Sequence, residues 1–184
     1  MRRGSRAAQM LCEHLQRWGI GARISEEAED SVTLTGQEID VVKVSHLGGY
    51  GSSYSFYYGV RCDVEGIEKQ MRARMKIQTK GLVRREVVDF KWVGRALADE
   101  LNRDDELKKQ LLQQLEIDVR DSVEISPDKK AGIVWITTTQ AMSPFPKSAT
   151  PFSILDDIMP SETSFKSYNA IARHIRNRPS PQSG

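Results

Sequence analysis

The spacing of apolar residues changes along the chain, and each change predicts a new element. Ala8, Leu11, Leu15 and Trp18 recur at helical spacing, with Glu13, His14, Gln16 and Arg17 largely on the other side. This predicts an amphipathic helix from Ser5 to Trp18, with Ser5 as its N-cap and Gly19 and Gly21 bracketing its end. A strand-rich region follows. Val32 and Leu34 alternate with Ser and Thr, Gly36 marks a turn, and Ile39 to Val44 is a β-branched run containing Asp40 and Lys43. The glycines between His46 and Ser53 read as a flexible connection.

From Tyr54 the period becomes two. One parity carries Tyr54, Phe56, Tyr58, Val60, Cys62 and Val64, and the other Ser55, Tyr57, Gly59, Arg61 and Asp63. Between Lys69 and Lys80, Met71, Ala73, Met75 and Ile77 alternate with Gln70, Arg72, Arg74, Lys76, Gln78 and Lys80. Alternation of this length predicts two strands, each with one buried face. Glu65-Gly66 between them predicts a hairpin turn with Val64 opposite Ile67. The expected pairs are then Val60 with Met71, Tyr58 with Ala73, Phe56 with Met75 and Tyr54 with Ile77 on the core face. Arg61 with Gln70, Gly59 with Arg72, Tyr57 with Arg74 and Ser55 with Lys76 fall on the outer face.

A third strand is predicted from Arg85 to Trp92, with Val88, Phe90 and Trp92 on its apolar parity. After Gly94, Leu97, Ala98 and Leu101 form one helical stripe and Leu107, Leu111, Leu112 and Leu115 another. These are two helices or one kinked helix, with Asn102 or Asp104 as a second cap. A smaller strand pair spans Val119 to Ile125 and Ile133 to Thr139, joined by a turn at Pro127 to Gly132. Ser143 to Pro151 reads as an ordered loop and Phe152 to Ile158 as a short helix. Ser161 opens a last helix with Phe165, Tyr168, Ala172 and Ile175 inside. The expected fold class is α+β. Residues 1–177 form a single domain with a twisted, mainly antiparallel sheet covered on one face by helices, and residues 178–184 form a disordered tail.

A chain of 184 residues with 39% hydrophobic and 28% charged residues can bury a core without disulfides or metals. Cys12 and Cys62 have no metal or redox spacing and read as free thiols. The Arg-rich start is followed by polar residues rather than an apolar h-region, and no stretch approaches the ~18 apolar residues of a membrane span. The expectation is a soluble cytoplasmic protein without a transmembrane segment. A net charge of +2 does not itself indicate nucleic acid, so electrostatic arguments rest on where the charges lie.

The strongest candidate surface is the outer face carrying Tyr57, Arg61, Arg72, Arg74, Lys76 and Lys80. Alternate strand residues stand roughly 7 Å apart, close to the phosphate repeat of a nucleic-acid strand, and Tyr57 is placed to stack. The plainer explanation is a solvated face that discourages edge pairing, partly neutralised by Asp63, Glu68 and Glu86. Trp18, Trp92 and Trp135 are expected in the core, and Tyr54, Phe56, Tyr58, Phe90 and Trp92 are expected to pack together rather than line a ligand cavity.

Glu13, Ile39-Asp40-Val41 and Gln78-Thr79-Lys80 resemble, in order and residue type, the carboxylates and lysine of restriction-endonuclease-like nucleases. That resemblance implies metal-activated water attacking a phosphodiester. The usual second acidic ligand is missing, and an extra strand separates Asp40 from Gln78. The Gly48 to Gly51 cluster lacks the Gly-Lys-Ser/Thr of a phosphate loop, and His14, His46 and His174 have no metal-ligand spacing. No catalytic residue, metal site or cofactor is expected. The sequence does not name a reaction; the leading expectation is a non-enzymatic binding or interaction domain using the outer face of the hairpin or the covering helices, with an anionic partner, nucleic acid or other, as the candidate for the basic face. The alternatives are a nuclease-like enzyme or a homo-oligomer built through a sheet edge or apolar patch.

Overall fold

A computed structural model describes residues 3–47, 53–63, 69–80, 86–115, 123–141 and 159–178. The predicted glycine connection, the Glu65-Gly66 turn, the proline-containing loop, the short helix before Pro160 and the tail beyond Arg178 lie outside the described residues.

Helix α1 (Arg3–Arg17) leads into β1 (Gly21–Ile24), β2 (Ser31–Thr35), β3 (Val41–Leu47) and β4 (Ser53–Arg61). Strands β5 (Ala73–Lys80) and β6 (Glu86–Gly94) follow, then α2 (Ala96–Arg103) and α3 (Asp105–Leu115). The last elements are β7 (Val123–Asp128), β8 (Ile133–Ala141) and α4 (Glu162–Arg176). All eight strands join one antiparallel sheet in the order β1-β2-β3-β4-β8-β7-β5-β6. The expected α+β class and helix-covered sheet are therefore found, and β1 to β3 extend that sheet.

The predicted hairpin between the two alternating runs does not form. β4 lies between β3 and β8, pairing Val60 with Val134, Tyr58 with Ile136 and Phe56 with Thr138. β5 lies between β6 and β7, pairing Met75 with Trp92 and Ile77 with Phe90. Alternation dictates which side of a strand is buried, but any strand of matching alternation satisfies it as a neighbour. β8 offers β4 a nine-residue ladder from Ser53–Ala141 to Arg61–Ile133, so the late hairpin β7–β8 enters between the two runs.

The facial assignment holds at most positions, although Ser55 and Gly59 of the outer parity are buried as well. Tyr54, Phe56, Tyr58, Val60, Met71, Ala73 and Met75 are buried, while Arg72, Arg74 and Lys76 are exposed. Val88 is an exception, being 52% exposed. The β5–β6 register shifts between Gln78 and Thr79, whose partners are Asp89 and Val87. Val88 is the extra residue of this irregularity, and the parity of β6 changes across it.

The buried side of the sheet faces the helices. α1 contributes Ala7, Ala8, Leu11 and Leu15, and α4 contributes Phe165, Tyr168, Ile171, Ala172 and Ile175. Tyr58 and Tyr168 bring their ring centroids to 4.7 Å. Each fully buried side chain of this size contributes about 1.5–3 kcal/mol of transfer free energy. Tyr54, Phe56, Tyr58, Phe90 and Trp92 all belong to this core.

The helix boundaries also differ in part from expectation. Ser5 lies inside α1, and its hydroxyl donates to Glu29 Oε2 at 3.3 Å, so it is not the N-cap. Residues 96–115 form two helices, divided at Asp104, whose Oδ1 accepts the Leu107 N–H at 2.9 Å. Asn102 does not cap a helix; its carboxamide bonds the backbone of Trp92. Ser161 caps α4 as expected, accepting the Ser164 N–H at 3.1 Å. Arg178, assigned to the tail by the prolines after it, is held by an ion pair to Glu100 at 2.7 Å.

Candidate functional site

Cross-strand partners share a face, so the register identifies what lies opposite the helices. One row runs through Ser31, Lys43, Tyr57, Thr137, Glu124, Arg74 and Val93 across seven strands. The next row contains Thr33, Val41, Gly59, Trp135 and Ser126. Among the described residues, no helix packs on this side.

Tyr57 and Arg61 on β4 and Arg74 and Lys76 on β5 do share the sheet face opposite the helices, where Arg61, Arg74 and Lys76 are exposed and Tyr57 is half-buried, with Arg72 exposed just before β5. They do not form the compact cluster expected from a hairpin. Thr137 and Glu124 stand between Tyr57 and Arg74, placing the two strands about 14 Å apart at the usual strand spacing. Lys80 closes β5 opposite Glu86. The basic residues thus divide into a β3–β4 group, Lys43 and Arg61, and a β5–β6 group, Arg72, Arg74, Lys76 and Lys91.

Within the second group, Lys76 is the direct cross-strand partner of Lys91, and both are exposed. Two like charges in this position repel and weaken the ladder. Arg74, two residues away on the same face, adds to the local positive potential. Glu124 is its cross-strand neighbour on the β7 side.

Trp135 is the residue whose role the sequence conceals. It was expected in the core, but Val134 and Ile136 are the fully buried residues of β8, which turns Trp135 to the face opposite the helices. There it is half-buried and meets Tyr57 edge-on, with ring centroids 6.3 Å apart and planes at 88°. Gly59 makes room for it. A Cβ at that position would lie 2.8 Å from Trp135 Cζ3 and 2.7 Å from Val41 Cγ1, with Ile133 Cγ2 at 3.1 Å. Exposed Lys43 is the cross-strand partner of Tyr57, and exposed Arg61 lies two residues beyond Gly59.

The nuclease-like residues are not brought together. Asp40 Oδ2 accepts the Arg61 N–H at 2.6 Å and pairs with Arg176 at 2.7 Å, so the carboxylate joins β4 to α4. Gln78 and Lys80 lie on β5, separated from β3 by three intervening strands. Glu13 is on α1 beside Arg17. Among the described residues, no three His, Cys, Asp or Glu side chains gather as a metal site. Burial raises the Cys12 thiol, with Glu13 adding to the shift. Burial likewise raises Cys62, with Arg176 opposing and Asp40 and Asp63 reinforcing the rise. Both shifts disfavour the reactive thiolate. No helix of the described residues is long and apolar enough to cross a membrane.

Both outer strands carry side-chain amides on their free sides. Gln16 Nε2 donates to the Ala22 carbonyl of β1 at 2.8 Å, and Asn102 holds Trp92 of β6. These contacts occupy backbone groups that another strand would use. Comparison of the chain with family models, curated proteins and solved structures finds no match.

Proposed function

We propose that this chain is a non-enzymatic binding domain whose open sheet face contacts an anionic partner. The observation that carries this reading is the Lys76–Lys91 cross-strand pair beside Arg74. Lysines can shield the β6 edge from pairing, but placing two of them directly opposite each other adds a repulsion that opposes folding. An anion bound between them removes that repulsion and gains two charge-assisted contacts. Arg72 and Lys80 extend the same cationic strand, and Arg61 with Tyr57 continues the open face on β4.

Lys91→Glu separates function from fold because the two effects have opposite signs. The variant converts a repelling pair into an attracting one, so its thermal midpoint should equal or exceed that of the parent. Its retention on immobilised heparin should nevertheless fall to lower salt, as should that of an Arg72→Ala/Arg74→Ala variant. Unchanged retention in both variants overturns the proposal. The enzyme alternative has less geometric support because Asp40 is engaged with Arg176 and lies apart from Gln78 and Lys80. The homo-oligomer alternative must contend with the amides on both sheet edges.

A further inference from the structure

The basic groups account for attraction to an anion, but they do not account for the aromatic corner between them. An antiparallel sheet with one solvated face ordinarily places polar residues there. This face instead presents Trp135 and Tyr57 at right angles, over an apolar base of Val41 and Ile133. The missing side chain at Gly59 admits the indole edge, so the ring occupies space that any other residue would fill. Lys43 and Arg61 flank the corner on the strand side away from β5.

We infer that the open face binds single-stranded nucleic acid, with a nucleobase seated in the Tyr57–Trp135 corner. This rests on the anionic-partner reading above and adds the partner's chemistry. A planar base laid against one ring meets the other edge-to-face, an arrangement that aromatic pairs favour. The adjoining phosphates lie against Lys43 and Arg61. The strand then runs across Thr137 and past Glu124, the cross-strand partner of Arg74, to reach Arg74 about 14 Å away, and the Lys76–Lys91 pair beside it takes a further phosphate. Duplex bases are already stacked on one another, so an unpaired strand suits the corner better than a double helix. An acidic peptide would use the cations and leave the rings without a counterpart.

The test uses unmodified protein and two fluorescent oligomers of equal length and charge: oligo-dT and an abasic deoxyribose-phosphate chain. Anisotropy at low salt should show oligo-dT binding more tightly by about 5- to 150-fold for one stacked base. Tyr57→Leu should reduce that advantage, a comparison that does not depend on Trp135 variants folding. Equal binding of the two oligomers overturns the base-stacking inference and leaves the anionic-partner reading intact. Binding to heparin or polyglutamate without binding to either oligomer overturns the nucleic-acid assignment. Tighter binding of a duplex than of oligo-dT overturns the single-strand assignment. Failure of heparin and every oligomer to bind overturns the underlying reading as well.

Discussion

The carboxamide of Asn102 pairs with the backbone of Trp92 as an adjoining strand would. Its Oδ1 accepts the Trp92 N–H at 2.9 Å and its Nδ2 donates to the Trp92 carbonyl at 2.9 Å. One side chain thereby closes the exposed edge of β6 at the level of a core tryptophan that is 2% exposed. Asn102→Ala removes two hydrogen bonds and should cost about 1–2 kcal/mol. It should also increase self-association through the bared edge. Urea unfolding and light scattering at increasing protein concentration measure the two effects; Asn102→Asp should lose the donor contact and retain part of the stability.

Asp104 sits at the α2–α3 junction. The Leu107 N–H holds its carboxyl below the usual carboxylate range; partial burial opposes this shift, and the hydrogen bond and charge of His174 at 2.9 Å reinforce it. A carboxyl lowered in the folded state contributes stability above its unfolded pKa of about 3.9. That contribution is lost as pH falls through the folded value. Asp89 adds to the same acid-side loss, chiefly through its hydrogen bond to Lys108 at 2.9 Å. Urea midpoints should therefore fall between about pH 5 and pH 2, and Asp104→Asn should flatten part of that decline.

Arg178 and Glu100 form an unequal pair. The Arg178 side chain is only 7% exposed, whereas that of Glu100 is 41% exposed. Removing the acid leaves a buried guanidinium without its counterion, while removing the arginine leaves a solvated carboxylate. Glu100→Ala should therefore destabilise by about 1–3 kcal/mol, and Arg178→Met by less than half as much. Thermal denaturation of the two single variants and the double variant measures the difference, and the double should resemble Arg178→Met.

Gly94 lies opposite Ala73, and a Cβ there would strike the Arg72 carbonyl oxygen. Backbone cannot move aside as a long side chain can. Gly94→Ala should separate the end of β6 from β5 and cost about 1–3 kcal/mol, read from chemical denaturation. Hydrogen exchange should accelerate first at Ala73 and Arg74.

Much of the fold was legible because burial leaves a periodic trace. Phe56, Tyr58, Val60, Met71, Ala73 and Met75 announce their buried face, and Ser161 with Phe165 announces the last helix. Strand neighbours leave no equivalent trace, since β4 has the same alternation beside β8 as it would have beside β5. Trp135 shows the same limit at one residue: Ile133 and Trp135 form one apolar parity, and Val134 and Ile136 the other. Only the ladder to Val60 and Tyr58 decides which parity enters the core. The cations of the candidate surface were legible individually, whereas the Lys76–Lys91 opposition and the Tyr57–Trp135 corner depend on pairings made across the sheet.

The position of β7 and β8 bears on how the protein is made. During synthesis β4 and β5 emerge early, yet the strands that fill the space between them emerge more than forty residues after β5 begins. Until then, any sheet formed by β1–β4 or by β5–β6 lacks the partner of its inner edge. The β5–β7 seam includes only Ala73–Ile125 and Arg74–Glu124 among the described residues, so even the finished join is narrow there. The nascent chain therefore has a long interval in which its central strands can pair with the wrong partner. A chain ending at Leu115 should leave that interval permanently open and be prone to aggregation.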